Sequence, residues 1–201
     1  MRREHWQDSK AWADQFTPHV QELLGIRFFR PATRDQDLKE NTDLLFESER
    51  GRFAIRIRRL QERLAFNRRN EVTLRLKRTS GQATELGKLM NGLGDYFLYG
   101  WGDERSQKVV AYSILNLAQL RGWLFEVLLE THKLPGQCQD NHDGSSSFVA
   151  FCLDCMPPHL IVSRHTHLPG DPANTDPHWL KAHAAAQPQQ GVFAYAQGAH
   201  A

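Results

Sequence analysis

The sequence contains few cysteines and no long apolar run. Three cysteines among 201 residues are too few for a disulfide-stabilised scaffold, and their odd number is typical of a protein in a reducing compartment. No stretch approaches the roughly 20 apolar residues of a membrane-spanning helix. The first residues, from Met1 to His5, lack the character of a secretory signal. We therefore expect a cytoplasmic protein that does not insert into membranes.

Internal repeats are also absent, and 40% of the residues are hydrophobic, which is enough for one good core in a chain of this length. We predict a single domain at 1–164, with a core at about 9–130 and an extension at 131–164. Residues 165–201 are rich in Pro, Ala, Gln, Gly and His, and this composition predicts a disordered tail.

The net charge of +2 is small, but it is unevenly distributed. Eleven Arg or Lys residues and only two acidic residues lie between Arg50 and Arg78. Within this stretch, residues 53–58 and 71–77 alternate between apolar and basic side chains. Because side chains alternate between the two faces of a strand, each segment is predicted to be a β-strand with one apolar and one basic face.

A basic sheet face of this kind is expected to lie against a polyanion, most economically nucleic acid, with DNA favoured over RNA. The alternative interpretation is a solvated strand face. The residues predicted to contact nucleic acid lie on the two strands and in the loop between them: Arg56, Arg75, Lys77, Arg68 and Arg69.

The hydrophobic pattern along the chain predicts the fold class. The predicted elements are a helix at 9–24, a short strand at 26–29, strands at 42–46, 53–58 and 71–77, a helix at 82–93, strands at 96–101 and 109–114, and a helix at 115–129. After Pro135 we expect looser structure, with one more strand at 147–153 and a packed piece at 160–162. Meander strands followed by a strand-helix unit indicate an α/β or α+β fold with a mixed central sheet flanked by helices.

Several segments carry a family resemblance over about residues 9–130. They are Thr42-Asp43-Leu44-Leu45, Phe53-Ala54-Ile55-Arg56-Ile57-Arg58, Gly94-Asp95-Tyr96-Phe97-Leu98-Tyr99 and the run from Ser113 to Arg121. With the order of elements, they resemble the PD-(D/E)xK nuclease superfamily, which includes restriction endonucleases and archaeal Holliday-junction resolvases. The resemblance implies a restriction endonuclease-like core and Mg²⁺- or Mn²⁺-dependent hydrolysis of phosphodiester bonds. It also implies a homodimer as one form of the protein.

The chain departs from the family pattern where the motif has Glu-x-Lys, because Arg56 and Arg58 occupy those positions. Arg58 is able to replace the Lys, but Arg56 cannot hold a divalent cation, which requires carboxylate oxygens. The resemblance therefore implies a catalytic site of Asp43, Glu85 and Arg58 with Glu22 assisting, in which Asp43 and Glu85 hold the metal. Glu71 is a further acidic candidate.

These assignments have alternatives. Asp43 is equally consistent with a turn contact at a strand edge, and Glu85 with an acid in the first turn of a helix capped by Thr84 or Ser80. Loss of the central acid also fits a catalytically inactive module of the same fold. Such a module would bind nucleic acid or inhibit a host nucleic-acid machine, for example as a phage or mobile-element factor.

A third hypothesis is a zinc-stabilised interaction protein. Cys152 and Cys155 form a Cys-x-x-Cys pair, and Cys138 and several histidines lie nearby in the sequence. A second closely spaced ligand pair is lacking, so zinc is disfavoured. Four aromatic residues are candidates for stacking on bases, but their apolar surroundings favour core packing: Tyr96, Tyr99, Trp101 and Trp123.

Overall fold

The computed structural model describes residues 11–24, 29–33, 35–36, 44–46, 51–61, 70–141 and 143–166. The strands are β1 (Phe29–Pro31), β2 (Leu44–Phe46), β3 (Arg52–Arg59), β4 (Glu71–Arg78), β5 (Tyr96–Asp103), β6 (Lys108–Asn116), β7 (Gln137–Asp140), β8 (Ser146–Cys152) and β9 (Ile161–Thr166). The helices are α1 (Thr17–Leu23), α2 (Glu85–Met90) and α3 (Leu117–Thr131), and 3₁₀ turns span Leu153–Cys155 and Pro158–Leu160.

The strands form two sheets. The large sheet has six strands in the order β1-β2-β3-β5-β6-β9, and the small sheet has three in the order β4-β8-β7. In the large sheet β3 and β5 are parallel, whereas the other neighbouring strands are antiparallel. The small sheet is antiparallel throughout. The predicted class, a mixed sheet flanked by helices, is therefore confirmed.

The position of β4 corrects the predicted meander. The sequence suggested that the two arginine-bearing strands are neighbours, but β3 pairs with β2 and β5, and β4 pairs with β8. Val72, Thr73 and Leu74 are all buried, so β4 is enclosed on both faces. In β8, Phe151 and Val149 are the direct partners of Val72 and Leu74. These apolar cross-strand pairs stabilise the pairing of β4 with β8.

The segment after Pro135 is more ordered than the sequence suggested. It supplies β7, β8 and β9, and β9 pairs with β6 at the edge of the large sheet. Thus β9 extends through Thr166, beyond the predicted domain limit at 164. The rest of the predicted tail, residues 167–201, lies outside the described residues.

Two apolar cores lie on opposite faces of the large sheet. The α1 core includes Val20 of α1 and Phe16, the N-cap residue that precedes this helix, together with Phe53, Ile57 and Leu98 from the sheet. The main core joins the other face of the large sheet to β4, β8, α2 and α3, and it includes Ala54, Phe97, Tyr99, Trp101, Val72, Leu74, Leu89, Leu120, Leu124 and Phe151. Successive residues of β3 and β5 therefore point to different cores, as strand alternation requires.

The close approach of α1 to the large sheet depends on a glycine. A Cβ atom added at Gly102 would lie 2.5 to 2.8 Å from three atoms of the Phe16 ring, and Phe16 is fully buried. Gly102 therefore leaves room for the ring. Within the described part of the chain, no helix is both long and apolar enough to cross a lipid bilayer.

Candidate functional site

Arginines from β3 and β4 meet although the two strands belong to different sheets. On β3, Arg56 and Arg58 share the face opposite Phe53 and Ile57, as strand alternation predicts. On β4, the guanidinium groups of Arg75 and Arg78 approach the Glu85 carboxylate, which Arg56 also approaches. We call Arg56, Arg58, Arg75 and Arg78, with the Glu85 carboxylate that lies among them, the arginine cluster.

Glu85 is the centre of the cluster. Its Oε1 atom lies 3.5 Å from Nη1 of Arg56, 3.9 Å from Nη1 of Arg75 and 4.0 Å from Nη2 of Arg78. Its Oε2 atom accepts a hydrogen bond of 3.1 Å from the backbone N–H of Arg75. One carboxylate therefore serves three guanidinium groups and one backbone donor.

The start of α2 places this carboxylate beside β4. Thr84 is the N-cap, and its Oγ1 accepts a hydrogen bond from the N–H of Gly87 at 3.2 Å. The same hydroxyl donates to the carbonyl of Leu76 at 3.4 Å. Since β4 is an edge strand of the small sheet, Thr84 and Glu85 satisfy backbone groups of β4. The interpretation of Glu85 as a first-turn helix acid after a Thr84 cap is thus confirmed.

The pKa shifts in the cluster follow from burial and charge. Burial raises the pKa of Glu85, but the charges of Arg56, Arg75 and Arg78 and a backbone hydrogen bond outweigh it and leave this pKa lowered. Burial lowers the pKa of Arg56, and the neighbouring charges of Arg58 and Arg75 lower it further against the opposing effect of Glu85. Glu85 is therefore ionised at neutral pH.

The cluster carries an excess of positive charge. The cluster holds four guanidinium groups and one carboxylate, which gives it a formal charge of +3 (four minus one). Two donor atoms in the cluster, Nη1 of Arg56 and Nε of Arg78, are buried and make no hydrogen bond to any described residue. Buried donors without an acceptor are costly, but Nη1 of Arg56 keeps its ion pair with Glu85 at 3.5 Å.

The surroundings of Glu85 are unfavourable for the predicted metal site. A divalent cation on this carboxylate would lie within a few ångströms of three guanidinium groups, which would repel it. Among the described residues, no group of three or more His, Cys, Asp or Glu side chains is placed to hold a metal ion. In this structure Glu85 is an ion-pair partner of three arginines, and its predicted role as a ligand for Mg²⁺ or Mn²⁺ stays a prediction.

Glu22 lies away from the arginine cluster. It is exposed on α1, and α1 packs through Phe16 and Val20 on the face of the large sheet opposite Arg56. The structure therefore does not bring Glu22 to Glu85 or Arg58. Asp43, Arg68 and Arg69 lie outside the described residues, so their predicted roles remain predictions.

The remaining candidates lie on β4. Lys77 is exposed, three residues from the buried part of the strand. Glu71 opens β4 and lines a small cleft with Trp101 and Arg164, and no ion pair joins it to the arginine cluster among the described contacts. The structure thus brings together Arg56, Arg58, Arg75 and Glu85 from the predicted set, and it adds Arg78.

Core packing of the aromatic residues is confirmed. Tyr99 and Trp101 are 2% and 4% exposed, and their rings meet edge to face with centroids 5.6 Å apart. The hydroxyl groups of Tyr99 and Thr73 are hydrogen-bonded at 3.0 Å across the two sheets. These rings are therefore inaccessible to nucleic-acid bases.

Sequence reasoning missed a second polar cluster, which joins the small and large sheets. Arg164 of β9 donates to Asp154 at 2.7 Å and to Asn70 at 2.6 Å, and Asn70 also donates to Asp154. Asn70 precedes Glu71 of β4, whereas Asp154 and Arg164 lie 84 and 94 positions later in the chain. The spacing of these residues in the sequence does not indicate the contact, because the contact depends on the pairing of β4 with β8.

Comparisons with known proteins give no further assignment. No protein-family model matches the chain, and no curated protein matches it. The arginine cluster is therefore interpreted from its own geometry and charge.

Proposed function

We propose that this protein binds nucleic acid through the arginine cluster, with DNA favoured over RNA. In this proposal the core is nuclease-like, and Glu85 holds no metal ion. The observation that carries the proposal is the convergence of Arg56, Arg75 and Arg78 on one carboxylate. Arg58 lies close enough for its charge to lower the pKa of Arg56 and of Arg75. Guanidinium groups are the donors that match phosphate oxygens in charge and geometry.

Burial makes the cluster better suited to phosphate than a solvated basic face would be. Arg56 and Arg75 are 17% and 29% exposed, so their charges are less screened than those of surface arginines. The large sheet brings no accessible aromatic ring to this face among the described residues, so the proposed contact is to the backbone of the nucleic acid and carries little base preference.

The test is the salt dependence of binding. We expect the protein to bind short DNA duplexes at low salt, with log K falling linearly with log salt concentration and a slope that corresponds to about three phosphate contacts. Arg58→Gln and Arg75→Gln should each reduce the magnitude of this slope by about one contact. Fluorescence anisotropy with labelled duplex DNA, single-stranded DNA and RNA measures affinity and slope together.

A matched control is Arg105→Gln, which removes the same charge at an exposed position in the turn between β5 and β6. This variant should leave the slope unchanged. The proposal is overturned if none of the nucleic acids binds at low salt, or if all three variants show the slope of the unmodified protein.

A second experiment with the same protein distinguishes nucleic-acid binding from hydrolysis. Incubation of plasmid and single-stranded DNA with Mg²⁺ or Mn²⁺ should leave both intact. Cleavage that is lost in Asp43→Ala would instead establish metal-dependent phosphodiester hydrolysis, and cleavage that also fails in Glu85→Ala would restore Glu85 as a metal ligand. Light scattering of the free and DNA-bound protein tests the homodimer that the family resemblance implies.

A further inference from the structure

Cys152 and Cys155 lie at the two ends of a single tight turn. Cys152 is the last residue of β8, and the 3₁₀ turn Leu153–Cys155 follows directly. Cys152 itself has an extended backbone, but the two residues between the cysteines are in the 3₁₀ turn, whose rise of about 2 Å per residue separates the Cα atoms of Cys152 and Cys155 by about 6 Å. Disulfides require a Cα separation of about 4.4–6.8 Å, so this backbone geometry suits a disulfide.

The pKa of Cys155 responds to the neighbouring thiol. A hydrogen bond between the side chains of Cys155 and Cys152 is the largest cause of the raised pKa of Cys155. All three cysteines of the chain are free thiols in this structure. The pair Cys152 and Cys155 is therefore in its dithiol form.

Several contacts hold the turn in this shape. The N–H of Leu153 donates to the carbonyl of Asn70 at 2.7 Å, and the Leu153 side chain is buried. Asp154, between the two cysteines, accepts hydrogen bonds from Arg164 and Asn70. The N–H of Met156 closes the turn on the carbonyl of Leu153. The cysteines are thus positioned by β4, β9 and their own backbone.

Exposure gives the two cysteines different accessibility. Cys155 is exposed, whereas Cys152 is half-buried. A small reagent therefore reaches Cys155 first, and Cys152 lies where a resolving thiol is needed. The raised pKa of Cys155 keeps its thiolate fraction small at neutral pH, so the exchange should accelerate as the pH rises.

We propose that Cys152 and Cys155 form a reversible dithiol–disulfide site that exchanges with low-molecular-weight disulfides of the glutathione type. The Cys155 thiolate attacks one sulfur of the small disulfide, which forms a mixed disulfide and releases one thiolate. Cys152 then attacks the Cys155 sulfur and displaces the second thiolate. Two cysteine thiols are oxidised to one disulfide, the small disulfide is reduced to two thiols, and the two cysteine protons end on these products.

The test is oxidation of the folded, full-length protein with mixtures of oxidised and reduced glutathione, followed by alkylation and peptide mapping. We expect the peptide that contains both cysteines to lose two hydrogens without gaining glutathione, and the change to reverse with excess reduced glutathione. Cys138→Ser, which alters an exposed residue of β7, should behave identically. Cys152→Ser should instead retain glutathione on Cys155.

Repeating the titration in concentrated urea separates a site held by the fold from a pair that is merely close in sequence. We expect the equilibrium constant for disulfide formation to be at least about tenfold larger in the folded protein, because the turn fixes the thiols together. Equal constants in the two states would overturn the proposal. So would stable glutathione on Cys155 in the Cys138→Ser protein, or full alkylation of both thiols after oxidation.

Discussion

Replacing Glu85 with Gln is expected to lower the free energy of unfolding by about 2–3 kcal/mol at neutral pH. The substitution keeps an oxygen that accepts a hydrogen bond from the N–H of Arg75, but it removes the charge that offsets Arg56, Arg75 and Arg78. Breaking a fully buried ion pair costs about 3–5 kcal/mol, and we expect less here because Glu85 is 23% exposed. Urea denaturation followed by circular dichroism measures the change.

The matched control is Glu104→Gln, which removes the same charge from a surface ion pair. Glu104 lies 3.6 Å from Arg59, and the two side chains are 54% and 46% exposed. An exposed pair of this kind contributes less than about 1 kcal/mol, so this variant should be nearly as stable as the unmodified protein. Equal decreases in the free energy of unfolding of the two variants would contradict the larger stabilising effect expected of Glu85.

The effect of Glu85→Gln should depend on pH in a defined direction. The pKa of Glu85 is lowered in the folded protein, so its contribution is fully present above the unfolded-state pKa of about 4.3. This contribution is lost as the pH falls through the lower folded-state pKa. The stability difference between the unmodified protein and Glu85→Gln should therefore be constant from about pH 5 to 7 and shrink below about pH 4. A difference that grows in acid would contradict this assignment.

The same substitution should have the opposite effect on nucleic-acid binding. Removing the only carboxylate of the arginine cluster raises its positive charge by one, and we expect the affinity for duplex DNA at moderate salt to rise about five- to tenfold. Anisotropy measured under conditions where both proteins are folded tests this expectation. Weaker binding would indicate instead that the carboxylate itself takes part in the contact.

The second large effect is expected from adding one methyl group at Gly102. Gly102→Ala places a Cβ within 2.8 Å of the Phe16 ring, and the ring has no free space because Phe16 is fully buried. We expect α1 or β5 to shift, at a cost of about 1–3 kcal/mol in the free energy of unfolding. Thermal and urea denaturation measure this loss, and Phe16→Leu in the Gly102→Ala background should recover part of it.

Gly122→Ala provides a control with the same chemical change. Gly122 lies within α3, and a Cβ atom at this position would meet nothing within 4 Å. Ala is favoured over Gly in a helix by about 1 kcal/mol, so this variant should be more stable than the unmodified protein. If both glycine variants are more stable than the unmodified protein, Phe16 does not pack closely against Gly102 of the large sheet.

Local patterns were sufficient to predict much of this architecture. The alternation in residues 53–58 correctly assigned Phe53 and Ile57 to a core and Arg56 to the opposite face. The apolar surroundings of Tyr99 and Trp101 correctly placed them inside. These predictions succeeded because period-two alternation and burial are properties of a single segment and do not depend on its partner.

Pairing between distant strands was not predictable in the same way. The partner of β4 is β8, about 75 positions later in the chain, and consecutive strands are neighbours only about two-thirds of the time. The contacts of Glu85 depend on this pairing, since it takes β4 out of the large sheet and brings Arg75 and Arg78 to Arg56 from a second sheet. The surroundings of Glu85 and Arg56 were therefore not predictable from the spacing of residues along the chain.

The way α2 begins against β4 has a consequence for the behaviour of the protein at high concentration. An eight-residue edge strand offers its unpaired backbone groups to strands of other molecules, which is a common route to aggregation and amyloid. Here Glu85 occupies the N–H of Arg75 and Thr84 contacts the carbonyl of Leu76, while Lys77 and Arg78 would repel the same strand of a second molecule. We therefore expect Thr84 and Glu85, at the start of α2, to disfavour pairing of β4 with strands of other molecules.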